Sequence, residues 1–220
     1  MARPLPRSFY IRDTLIVARE LLGCFLVRRA ADGEGLRGRI VEVEAYVGEE
    51  DQACHARAGR TPRTEVLYGP PGLAYVYLTY GMHHLLNAVT EPEGRPAAVL
   101  IRAAEPLAGL EHMARARGLG TNGAAEPHRL ASGPAKLCQA FGLDLRHNRS
   151  DLRGPALAIV PGEPIPDARV GTSPRIGCET AAWPWDAMPW RLYDVGSRFV
   201  TPGRATDPKT RGDKRPRHKE

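Results

Sequence analysis

Residues 39–46, reading RIVEVEAY, constrain the fold of this chain more than any other stretch. Their alternation has the two-residue period of a β-strand. It places Ile40, Glu42, Glu44 and Tyr46 on one face and Val41, Val43 and Ala45 on the other. Carboxylates two residues apart on one strand face repel, and a strand that needed only solubility would carry Lys or Thr there. The pair is therefore either part of a site or the solvated acidic face of an edge strand. Gly48 ends the alternation, and Glu49, Glu50 and Asp51 carry the acidic character into a loop.

The flanking segments supply the partners such a strand needs. Asp13 caps a helix running from Leu15 to Leu22, which Gly23 stops. Residues 24–29 read as a strand, and the turn Asp32-Gly33-Glu34-Gly35 folds it back as a hairpin on residues 39–46. Residues 73–79, LAYVYLT, form a strand with Tyr75 and Tyr77 on one face; a turn at Tyr80-Gly81-Met82 leads into a second strand that contains Asn87. Tyr80 and Met82 at a hairpin tip are either folded back on the body or form a wedge that enters a partner. Residues 97–103 read as a buried strand, and its Arg102 needs a carboxylate partner such as Glu44 or Glu42. Glu105-Pro106 then opens a helix through Leu107, Leu110, Met113 and Ala114, and residues 118–127 form a mobile Gly/Ala-rich linker. Ser132, Gly133 and Lys136 sit at the start of another helix, either an ordinary capped helix or one whose start binds an anion. Residues 157–160 and WRLYDV close the fold as strands, and Arg169-Val170-Gly171 and Arg175-Ile176-Gly177 lie between them.

With 220 residues the chain is long enough for one domain with a sizeable core. Its formal charge is +6, carried mostly by Arg, whose fork matches phosphate oxygens; base composition of the genome is the competing source of such a bias. After His55, the loop arginines Arg57, Arg60 and Arg63 can track a phosphate backbone or simply be solvated. His55 and Asp51 lack a third ligand at a telling spacing, so no metal is expected. The four cysteines are widely separated, which points to reduced thiols. With no long apolar run and no apolar segment near Met1, a cytoplasmic protein without a membrane partner is expected. Residues 202–220 are charged and read as a disordered basic tail.

Four stretches in order, RIVEVEAYVGEEDQACHARAGRTPR, YVYLTYGMHHLLN, VLIRAAEPLAGL and LASGPAKLCQAFGL, resemble one family over residues 8–200. They resemble the alkyladenine (3-methyladenine) DNA glycosylases of the mammalian type. The resemblance implies an α+β fold: a single mixed domain, residues 1–201, around a curved, mostly antiparallel β-sheet with a protruding β-hairpin. It implies a monomeric, monofunctional enzyme that uses no metal and no cofactor. Its partner would be double-stranded DNA containing damaged purines, from which it flips alkylated or deaminated bases, hydrolyses the N-glycosidic bond and leaves an abasic site.

Position by position, the resemblance makes Glu44 the general base that activates water. Arg102 and the backbone carbonyl of Ile176, preferred over Val170, would hold that water. Tyr46, His55 and Tyr77 would wall the base pocket, Asn87 would obstruct the amino group of normal guanine, and Tyr80 would fill the gap left in the duplex. The chain departs from the family pattern by one residue fewer between His55 and Arg63 and by His83 and His84 where larger apolar side chains are expected. Residues 180–189 match weakly, and their tryptophans receive no role.

The residues themselves agree with this chemistry. A nucleotide must leave the stack before its C1′ can be reached, and a wedge such as Tyr80 can occupy the hole. Aromatic walls favour electron-poor purines, and Glu44 can both take a proton and face a cationic sugar. With no lysine in the core motif, no Schiff base is expected. Two rivals remain: an O-glycoside hydrolase using Glu42 and Glu44 as its carboxylate pair, and a binder that holds lesions without cleaving them.

Overall fold

In the computed structural model, residues 3–30, 32–120 and 126–201 are described. Eight strands form one sheet. They are β1 (Phe25–Arg29), β2 (Gly35–Val47), β3 (Ala74–Thr79), β4 (His83–Val89), β5 (Ala97–Ala108), β6 (Leu157–Val160), β7 (Val170–Ser173) and β8 (Arg191–Asp194). The path is β3-β4-β5-β2-β1-β6, with β8 paired to β2 and to β7, and every pair is antiparallel. This is an α+β fold with a curved, open antiparallel sheet and few helices.

Strand β2 is the axis of the sheet, because both of its edges are covered. Along one edge runs β5; along the other, β1 pairs with the first half and β8 with the second. Glu42 and Glu44 thus lie on an interior strand, both with 0% exposure, which removes the solvated-edge reading. Among the described residues, four short α-helices accompany the sheet: α1 (Arg7–Tyr10), α2 (Thr14–Leu21), α3 (Leu110–Ala116) and α4 (Pro134–Ala140). Asp13 caps α2 by accepting from the amides of Leu15 and Ile16. The main core includes Val17 and Leu21 of α2, Ile40, Val43 and Ala45 of β2, Ile101 of β5, and Leu137 of α4.

Two local expectations are corrected. Ile40 does not share a face with Glu42: Ile40 pairs with Ala104 and Glu42 with Ala103, leaving Val41 as an extra residue in a β-bulge. The bulge resets the alternation. Ile40 joins the main core with Val43 and Ala45, while Val41 packs with Ala103 and Phe199 in a separate small cluster.

Glu105-Pro106 does not open a helix. Because β2 is thirteen residues long, its ladder extends β5, with Arg39 opposite Glu105 and Gly38 opposite Pro106. Pro106 adjoins a register shift, a place where a strand tolerates the loss of an amide donor. The helix waits until Gly109, whose φ of 76° makes the left-handed turn into α3. Residues 121–125 of the expected linker and the expected tail, 202–220, lie outside the described residues.

Candidate active site

The face of the sheet that carries the two glutamates opens into a cavity of about 380 Å³. Seven of the expected site residues line it: Tyr46, His55, Tyr77, Tyr80, Asn87, Arg102 and Ile176. They come from β2, β3, β4, β5, the turn between β3 and β4, the short 3-10 turn at His55–Ala58 and the loop that follows β7. Residues distant in sequence thus meet on one surface.

Glu44 lies one layer behind that lining, and three cavity residues touch it. The Ile176 amide donates to Oε1 at 2.7 Å, the Tyr46 hydroxyl donates to Oε2 at 2.8 Å, and Arg102 Nη1 lies 3.1 Å from Oε2. Between the two Arg-apolar-Gly tripeptides, the structure brings Ile176 to the carboxylate. Val170 is held in β7, opposite Asp194.

Arg102 is shared between both glutamates. Its Nε donates to Glu42 Oε1 at 2.8 Å, and Arg191 Nε donates to the same oxygen at 2.7 Å. The Thr201 amide donates to Oε2 of Glu42 at 2.6 Å. Burial works to raise the pKa of Glu42, but Arg102 and Arg191 outweigh it and hold the carboxyl below its ordinary range. With its oxygens committed in this way, Glu42 is a buried support.

The aromatic wall is larger than the sequence suggested. Tyr75 and Tyr77 stack at 5.2 Å, and His55 meets Tyr77 edge-on at 4.5 Å. His55 Nδ1 shares a 2.8 Å hydrogen bond with the Tyr75 hydroxyl. Burial, helped by the charges of Arg63 and Arg57, pushes the His55 pKa down to about 4. His55 is therefore neutral near pH 7. Burial also raises the pKa of Tyr46 and Tyr77, so both phenols keep their protons. Asn87 lies deep in the cavity, its amide donating to the Tyr75 carbonyl at 3.1 Å.

This arrangement makes stability depend on pH. Unfolded His55 takes up a proton near pH 6.5, whereas folded His55 does so only near pH 4. Between those values the unfolded state binds more protons, so stability falls as the pH drops through the window. Thermal melts of wild type and His55→Gln across this range are expected to converge as pH falls, because only wild type suffers this loss.

At the hairpin tip Tyr80 is 88% exposed and Met82 is 68% exposed. Tyr80 (φ 50°) and Gly81 (φ 69°) both adopt left-handed conformations, and the Met82 amide closes the turn on the Thr79 carbonyl at 3.2 Å. Such turns favour Asn, Asp or Gly at the first central position, and an ordinary side chain there costs about 1 kcal/mol or more. A large aromatic residue kept exposed in a strained conformation is better placed for contact than for packing.

The basic residues separate into groups. Arg57, Arg60, Arg63 and Lys136 are all exposed. Arg60 forks onto Glu65, with both contacts at 2.8 Å, and Arg63 lies over the Tyr77 ring at 5.2 Å. Ser132 does not cap α4: its hydroxyl donates to the His128 carbonyl, and Gly133 occupies the cap position without a side-chain bond. The cavity is instead lined by the next two residues, Pro134 and Ala135.

Sequence reasoning missed the clamp behind Ile176. Arg175 and Asp51 form a fully buried pair, with Nη2 2.8 Å from Oδ1, and Arg175 also donates to the Ala45 and Trp185 carbonyls. Asp51 additionally accepts from the amides of Val47 and Ala53, so it is engaged elsewhere than with His55. The only sequence signal for this pair was an acidic residue in the loop after β2 and an arginine beginning a tripeptide. Cys178, also missed, lines the cavity with its sulfur 3.7 Å from the Tyr46 hydroxyl.

The site is thus a buried carboxylate behind an aromatic slot with a hairpin projecting beside it, and the comparisons with known proteins place the chain among hydrolases of the DNA-glycosylase class. The sequence profile of the methylpurine-DNA glycosylase (MPG) family matches residues 8–198. A protein of Myxococcus xanthus named "Putative 3-methyladenine DNA glycosylase" is 49% identical over 199 residues, covering 90% of this chain and 94% of that one. A protein of Carboxydothermus hydrogenoformans with the same name is 47% identical over 198 residues, covering 90% and 98%. The chain belongs to the methylpurine-DNA glycosylase family. These relatives are bacterial, and they establish the family without the mammalian type within it.

Proposed function

We propose that the protein swings alkylated and deaminated purines out of duplex DNA, hydrolyses the N-glycosidic bond and leaves an abasic site. The observation that carries this reading is the contact of Glu44 with three residues that also line the base-sized cavity: Tyr46, Arg102 and Ile176. Extrusion costs a few kcal/mol, and Tyr80 fills the vacated stack. The base enters between Tyr46 and the Tyr77–His55 wall, where Asn87 restricts the exocyclic substituents that fit.

Water then attacks C1′ while the bond to the base nitrogen breaks, and the electron pair leaves with the base. Glu44 accepts the proton from water, and its negative charge offsets the positive charge that develops on the sugar. The Ile176 amide steadies the carboxylate, and the carbonyl of the same residue can hold the attacking water. Arg102 fixes the other carboxylate oxygen. Lys136 is the only lysine among the described residues and lies exposed on α4, which supports a monofunctional reaction.

The burial of Glu42 under two arginines speaks against an O-glycosidase that uses the two glutamates as a pair. A lesion binder without activity is separated by one assay. Incubated with a duplex containing hypoxanthine, the protein is expected to release free base and leave an intact strand that alkali cleaves at the abasic site. Binding without base release would overturn the proposal.

A further inference from the structure

We propose that Arg63 sets the charge preference of the base cavity, disfavouring cationic damaged bases such as 7-methylguanine relative to neutral ones such as hypoxanthine. The inference rests on the glycosylase reading above and deepens it.

Tyr77 is a partition between two concavities. It lines the base cavity, and it also lines a neighbouring one of about 290 Å³. Arg63 belongs only to the second. The exposed guanidinium of Arg63 lies over the Tyr77 ring, 5.2 Å from the centroid, and its charge also acts on Tyr75, the ring stacked on Tyr77. The positive charge therefore sits at the solvent-exposed side of that wall, in the neighbouring concavity.

Arg57, which has no carboxylate partner among the described residues, acts on His55 less than Arg63 does, and the other arginines around the cavity are paired. Arg175 lies over Tyr46 at 4.7 Å but is paired with buried Asp51. Arg102 is paired with Glu42 and Glu44, and Arg60 with Glu65. Arg63 has no ion pair with a carboxylate among the described residues. Its field reaches the interior: after burial, Arg63 is the largest influence lowering the pKa of His55, which forms part of the same wall.

An aromatic ring attracts a cation through the electron density of its face. With a guanidinium already over the Tyr77 ring, a cationic base against the same aromatic wall gains less attraction and meets the charge of Arg63. A neutral purine keeps its stacking contact and pays no such penalty. The aromatic wall alone would favour cationic lesions; with Arg63 behind it, that preference is reduced or reversed.

The test measures single-turnover base release with enzyme saturating over duplexes that carry 7-methylguanine or hypoxanthine in one sequence context. Saturation removes differences in DNA binding, so the ratio of the two rates reports on the cavity. In Arg63→Gln the ratio of 7-methylguanine to hypoxanthine release is expected to rise about fivefold over wild type. In Arg63→Lys, which keeps the charge, it should stay within about twofold. An unchanged ratio in the Gln variant, with both rates moving together, would mean that Arg63 only grips the DNA and would overturn the proposal. An equal rise in the Lys variant would overturn it too, by assigning the effect to shape. Failure of wild type to release either base would strike the glycosylase reading itself, a result distinct from both.

Discussion

Glu44→Gln is expected to bind lesion-containing duplex within a few-fold of wild type while losing excision by about 10²- to 10⁴-fold. The amide has the shape of the carboxylate, and its oxygen can still accept from the Ile176 amide, now 2.7 Å from Oε1. It cannot take a proton from water, and it has no negative charge to set against a cationic sugar. The fold should survive the change because Arg102 retains Glu42, 2.8 Å from its Nε. Gel-shift affinity and single-turnover excision on the same duplex separate the two effects. Full excision by the variant would remove Glu44 from the chemistry.

Asp51→Ala is expected to have the largest effect on stability, a loss of about 3–5 kcal/mol, seen as a Tm lower by about 10 °C. Arg175 and Asp51 both have fully buried side chains, and removing the carboxylate leaves an uncompensated guanidinium in the interior. The same change frees two backbone amides, that of Val47 at the end of β2 and that of Ala53 in the loop that follows. Because Arg175 precedes Ile176, excision should fall along with stability. The double variant Asp51→Ala/Arg175→Met, which removes both charges, should recover part of the Tm. A drop of under about 1 kcal/mol for the single variant would show that the pair is dispensable.

Where the sequence was legible, the signals were local. The tyrosine hairpin follows from a two-residue alternation on either side of a turn containing Gly81, and the α2 cap from Asp13 ahead of an apolar run. Arg102 in a buried strand demanded a carboxylate, and both candidates named for it proved to be its partners. Misreadings arose where a local rule met a longer-range one. Glu105-Pro106 satisfies the signature of a helix start, but the free edge of a thirteen-residue strand was a stronger partner. Ser132 carried the chemistry of a helix cap, yet a carbonyl close by in sequence, that of His128, had already engaged its hydroxyl.

The chain by itself determined that two carboxylates and a tyrosine would occupy one strand, that an aromatic hairpin would stand out beside it, and that arginines would surround both. These follow from side-chain periodicity and turn chemistry, which act over a few residues. Only the tertiary structure decided which partners each carboxylate has. Glu42 is fastened to Arg191 and Glu44 to the Ile176 amide, contacts that span 149 and 132 residues. Contacts at that range are set by how the sheet closes and by which buried charges must find partners, and a local alternation carries no record of either.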